Sequence, residues 1–151
     1  MTNSARTIVV FETRPRWQPE LQRQFVDQPV RVQGCRNWNE LSALAFPSSV
    51  KRAGDRRLAR TAAVDAIVIE LPDDAAPCLQ WLSSLTVQEL VPPIIVLLPS
   101  EAAELEWPLR DAGVHDVLVG ELSGEQLTRC LRRSLFELEA TVRTRHPFPS
   151  Q

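Results

Sequence analysis

The sequence predicts a doubly wound α/β domain, a five-stranded parallel sheet covered by helices on both faces in three α/β/α layers. Three observations carry this. Short apolar runs at 7–11, 66–70, 93–98 and 117–119 are rich in Val and Ile and do not alternate with polar residues, as expected of strands buried on both faces. Segments with a helical period lie between them, so strand and helix alternate along the chain. The length of 151 residues, with 44% hydrophobic and 24% charged residues, fits one ordinary globular domain. We assign residues 1–145 to that domain and 146–151 to a C-terminal tail.

Taken in order, the first strand at 7–11 leads to a helix over 19–26, where Leu21 and Phe25 share a face at i, i+4 spacing. A weaker second strand, 30–33, precedes Gly34. The second helix starts at Asn37, with Glu40 completing a capping-box-like pair ahead of Leu41 and Leu44. The third strand, 66–70, is followed by a helix over 75–90 with Leu79, Leu82 and Leu85 inward. The fourth strand, 93–98, leads to a helix from Ser100 to a C-cap at Gly113. Pro108 must kink or restart that helix, because it removes an amide donor. After the fifth strand, 117–119, Ser123 and Gln126 form a second capping pair, and Leu127, Leu131, Leu135 and Leu138 mark an amphipathic helix to about residue 145.

Composition excludes several classes. A formal charge of −2 gives no overall attraction to nucleic acid or anionic membrane. Cys35, Cys78 and Cys130 are odd in number, far apart and without CxxC spacing, so neither a disulfide framework nor a zinc site is indicated. No run is long enough to span a bilayer, and a reducing cytoplasm is the expected home. No glycine-rich nucleotide loop, flavin-phosphate loop or nucleophile elbow occurs, so no cofactor and no catalytic residue are expected. His115 and His146 are isolated and expected at the surface, and no metal-ligand spacing is present.

In any sheet of this type a ligand sits at the carboxyl ends of the strands, and there the sequence resembles a known family. The stretch 65–72, Asp-Ala-Ile-Val-Ile-Glu-Leu-Pro, is similar to the response-regulator receiver strand that ends in the phospho-accepting aspartate. The stretches 93–99 and 111–120 resemble the strand ending in Thr or Ser and the run into the pocket lysine. Glu70, Leu98 and Gly120 are spaced much as in receivers, whereas the first half carries an insertion near 46–62. The resemblance implies a flavodoxin-like receiver fold, but this chain departs from the receiver chemistry at four positions. Phe11 and Glu12 stand where an acidic pair would hold magnesium, which favours near-octahedral oxygen ligation. Glu70 replaces the acceptor aspartate, Leu98 offers no hydroxyl, and Gly120 offers no cation to stabilise phosphoryl charge.

The expected function is therefore that of a degenerate pseudo-receiver, a phosphorylation-independent protein-interaction module in signalling or regulation and not an enzyme. An alternative is a small enzyme or anionic-ligand-binding protein of the same fold, using Glu12, Glu70 and the Arg14/Arg16 loop. Two readings of the glutamates stand side by side: a close carboxylate pair neutralised by Arg14 or Arg16, or two carboxylates solvated at strand ends. Trp107, Pro108 and His115 mark a candidate interaction face, the usual partner face of receivers, for a protein partner or a homodimer through the fourth and fifth helices. Burial of Trp107 against the sheet is the competing expectation. Trp17, Trp38 and Trp81 are expected as packing residues. The basic segment 51–60 lacks interleaved aromatics, so nucleic-acid binding is disfavoured and a solvated face expected.

Overall fold

The structure is a computed structural model that describes residues 5–46, 64–85 and 91–144, with side chains described as far as Leu135. Its elements are β1 (Arg6–Phe11), α1 (Trp17–Gln24), β2 (Val30–Cys35), α2 (Trp38–Ala45), β3 (Ala66–Glu70), α3 (Ala76–Ser84), β4 (Ile94–Leu98), a 3-10 segment (Ser100–Leu105), α4 (Glu106–Asp111), β5 (Asp116–Val119) and α5 (Gly124–Thr144). The five strands form one sheet in the order β2-β1-β3-β4-β5. Every pairing is parallel, with Phe11 beside Ile69, Glu70 beside Leu97 and Leu98 beside Val119.

The apolar runs do not alternate because each face of the sheet has its own core. Val9, Phe11, Ile67, Ile69, Val96 and Leu98 pack with Leu41 of α2, Cys78, Trp81 and Leu82 of α3, and Leu109 of α4. The intervening residues Ile8, Val10, Val68, Ile95 and Leu97 pack with Trp17, Leu21 and Phe25 on the α1 side and Leu127, Leu131 and Leu135 of α5. Such period-two partition between two covered faces produces the three layers.

Local signals place the helix ends. The Asn37 Oδ1 accepts from the Glu40 N–H at 2.7 Å, and the Glu40 carboxylate accepts from the Arg36 N–H at 2.9 Å. At α5 the Gln126 N–H donates to the Ser123 Oγ at 3.1 Å and the Ser123 N–H to the Gln126 Oε1 at 2.9 Å, a reciprocal capping box. The fourth helical region differs from the continuous helix expected. It is a 3-10 segment with non-helical angles at Ala102, followed by α4, which restarts at Glu106 and carries Pro108 in its first turn. There an amide donor has no intrahelical partner, so proline costs little. Gly113, at φ 102°, ends the region as anticipated. Helix α1 begins at Trp17, two residues earlier than expected, and α3 is described from Ala76 to Ser84. The insertion near 46–62, the basic segment 51–60, residues 86–90, His146 and the tail 146–151 lie at or beyond the limits of the described residues.

Candidate functional site

The carboxyl ends of β3, β4 and β5 open into a cleft of about 1250 Å³. Glu70, Leu98 and Gly120 line it, together with Arg16 and Trp17 from the start of α1. These three strand-end residues are thus brought to one place. Phe11, Glu12 and Arg14 are not among its lining residues.

Glu12 leaves the cleft because the first turn of α1 claims its carboxylate. Its Oε1 accepts from the N–H groups of Arg16 (3.1 Å) and Trp17 (2.9 Å), and its Oε2 accepts from the N–H of Gln18 (3.0 Å). A helix start leaves N–H groups without intrahelical partners and carries partial positive charge, so a carboxylate there is favoured on both counts. With 4% of its surface exposed, Glu12 is not a solvated strand-end residue. Nor do its bonds leave it paired with Glu70. The expected cation pairing also differs: among the described residues no ion pair joins Arg14 or Arg16 to either glutamate. Arg14 is exposed, and the Arg16 guanidinium lies 4.6 Å from the centroid of the Trp17 ring.

At Glu70 the partner is neutral. The Trp17 indole Nε1–H donates to the Glu70 Oε2 at 3.0 Å. Trp17 is 4% exposed, so its N–H requires a partner within the protein, and this carboxylate supplies it. The sequence marks Trp17 as a packing residue. It is one, but the usable signal is chemical: a buried tryptophan needs an acceptor, and Glu70 ends β3, the neighbour of the strand β1 from which the chain enters α1.

Leu98 is buried in the core on the α3 side, so β4 presents a hydrocarbon to the cleft. Gly120 adopts φ 93°, and its N–H donates to the Leu98 carbonyl at 2.8 Å. The turn after β5 therefore uses a backbone conformation that glycine adopts freely and a lysine would strain. Phe11 points into the same core as Leu98, stacked on Trp38 at 4.0 Å, and Trp38 in turn lies 5.7 Å from Trp81. Trp81 donates its Nε1–H to the Ser42 Oγ at 2.8 Å.

The electrostatics of the cleft are acidic. Asp73, Asp74, Glu101 and Glu121 line it beside Glu70, with Arg16 as the cationic lining residue. Among the described residues no group of three or more His, Cys, Asp or Glu is arranged to hold a metal ion, and no helix is long and apolar enough to cross a membrane. Burial pushes the Cys35 and Cys78 thiols up to about 12, with the Glu40 charge adding to the effect at Cys35. Away from the cleft, Trp107 is 74% exposed and is not packed against the sheet. Pro108 and His115 are exposed as well.

These features define an α/β protein of the receiver fold, and solved structures carry the same fold. The chemotaxis response regulator CheY4 of Vibrio cholerae superposes with a TM-score of 0.61 at 15% identity, covering 87% of this chain and 100% of that one. The receiver domain of the TMAO respiratory system response regulator TorR gives 0.66 at 19% identity, covering 87% and 98%. A member of a family of streptococcal redox sensors evolved from two-component response regulators gives 0.73 at 10% identity, covering 97% of this chain and 58% of that one. No protein-family model matches the sequence, and no curated protein matches it. The likeness establishes the five-stranded, all-parallel receiver fold.

Proposed function

We propose that the chain is a cytoplasmic pseudo-receiver, a single domain over residues 1–145 that acts in signalling by binding protein partners without phosphorylation or catalysis. One observation carries this reading: the carboxylate at the acceptor position, Glu70, is held by the neutral indole N–H of Trp17, with Leu98 and Gly120 beside the same cleft. Phosphoryl transfer depends on cations and donors aimed at developing negative charge. Here the described lining instead gathers Asp73, Asp74, Glu101 and Glu121 against Arg16. The same balance weighs against an anionic substrate, and Glu12 is already occupied as the cap of α1. Interaction through α4 and α5, with a partner or a second copy, is the mode most consistent with the exposed Trp107, Pro108 and His115.

The test is incubation of the protein with magnesium and acetyl phosphate, and separately with beryllofluoride, beside a phosphorylatable receiver treated in parallel. We expect no phosphate-sized mass increase and no magnesium-dependent change in tryptophan fluorescence, for which Trp17 is a built-in reporter. A covalent adduct on Glu70 would overturn the proposal.

A further inference from the structure

We propose that the outward ridge formed by Glu104, Trp107 and Asp111 recognises a basic, arginine- or lysine-bearing segment of a partner protein. This rests on the reading of the chain as an interaction module and specifies the chemistry of the partner. The three residues stand at i, i+3 and i+7, the spacing of one helical face, along the end of the 3-10 segment and α4. Leu109, roughly 200° around the helix from Trp107, is the buried anchor on the opposite side. All three ridge residues are therefore turned from the core, and each is exposed.

Two independent features converge on this ridge. Trp107 exposes 74% of its surface, whereas Trp17 and Trp81 are buried and Trp38 packs against the core. Glu104 and Asp111, which flank it, have no ion-pair partner among the described residues. The basic residue of α4 is already engaged: the Arg110 Nε donates to Glu106 at 3.0 Å and its Nη2 to Asp116 at 3.4 Å. What remains is an indole face between two uncompensated carboxylates, with Glu101 also exposed near the start of the 3-10 segment. An arginine or lysine side chain satisfies both elements at once, stacking its cation on the ring while pairing with a carboxylate. An acidic segment would meet repulsion, and a purely apolar one would leave the carboxylates to be desolvated unpaired.

The experiment titrates the 15N-labelled full chain with short acetylated alanine–arginine, alanine–lysine and alanine–glutamate peptides, following backbone amide shifts. The two basic peptides are expected to move the amides of residues 104–111, and the glutamate peptide is not. Trp107→Ala should weaken the arginine peptide roughly three- to fivefold, and the Glu104→Gln, Asp111→Asn double variant by a similar factor. All three positions are exposed, so the variants should keep the parent spectrum elsewhere. Shifts centred on the cleft residues 70–74 and 120–121, equal binding of the glutamate peptide, or an unchanged affinity in Trp107→Ala would each overturn the assignment. The two proposals fail separately. An adduct on Glu70 would remove the phosphorylation-independent reading and leave ridge binding standing, whereas an inert Glu70 with no ridge binding would remove the ridge alone.

Discussion

Replacing Glu12 by alanine tests the capping of α1 most directly. The side chain is 4% exposed and satisfies three backbone N–H groups at 2.9–3.1 Å. Hydrogen bonds to a charged group contribute about 1.5–3 kcal/mol each, but water entering the vacated space recovers much of that, as the roughly 0.5–2 kcal/mol cost of ordinary N-cap truncations implies. Glu12 serves three donors where an ordinary cap serves one or two, so we expect a loss of about 3 kcal/mol. For a domain of this size that lowers Tm by roughly 6–12 °C. Urea and thermal unfolding followed by circular dichroism measure the total. Hydrogen exchange localises it, with protection lost at the amides of residues 16–18 and retained in β3 and β4. Glu12→Gln should fall between the two, because one carboxamide atom meets an N–H donor with a donor of its own. A Glu12→Ala variant within about 0.5 kcal/mol of the parent would refute the capping argument.

Two further expectations follow from burial and backbone geometry. Cys35 and Cys78, pushed from 9.0 up to about 12, stay as thiols in the fold, so iodoacetamide at pH 8 should label them only after unfolding. The linkage has a definite sign. Above pH 9 the unfolded chain releases protons that the folded chain holds, so this contribution to stability is present below that pH and is lost as pH rises toward 12. A flat unfolding free energy from pH 8 to 11 would count against it. At Gly120, where φ is 93°, substitution by alanine or lysine should cost about 1–2 kcal/mol from backbone strain, measurable by urea unfolding. The Ser100 hydroxyl would stand 3.4 Å from the added Cβ, an ordinary contact, so sterics add little.

What could be read from the sequence divides along physical lines. The five strands were legible because parallel strands buried on both faces leave continuous Val/Ile runs, and the capping pairs at Asn37 and Ser123 were legible because their partners lie three residues apart. The convergence of Glu70, Leu98 and Gly120 follows from topology, since strand ends meet at one edge of the sheet. The orientation of Glu12 was not legible, because a carboxylate after a strand faces either a cleft or the next helix start, and only the entry angle of α1 decides. Nor was the Trp17 bond, which links residues 53 positions apart. Proline in the fourth helical region forced a break, yet its place, before Pro108 and not at it, depended on where the first turn could spare a donor.

The pairing of Trp17 with Glu70 also bears on why a glutamate, and not an aspartate, ends β3. An aspartate is shorter by one carbon–carbon bond of roughly 1.5 Å, which would carry its oxygens beyond hydrogen-bond range of an indole now 3.0 Å away. Glu70→Asp therefore supplies the residue type a phosphotransfer site uses while orphaning the Trp17 N–H, at a cost of about 1–3 kcal/mol. Leu98 and Gly120 are unchanged, so no phosphorylation should be gained. A double-mutant cycle with Trp17→Phe isolates the bond, since removing the indole N–H removes the reason for the longer side chain. Glu70→Asp should then cost little in the Trp17→Phe background, giving a coupling energy of about 1 kcal/mol or more by urea unfolding. Additive losses would mean that the indole N–H is satisfied without Glu70, and the glutamate would then have no structural role that aspartate could not fill.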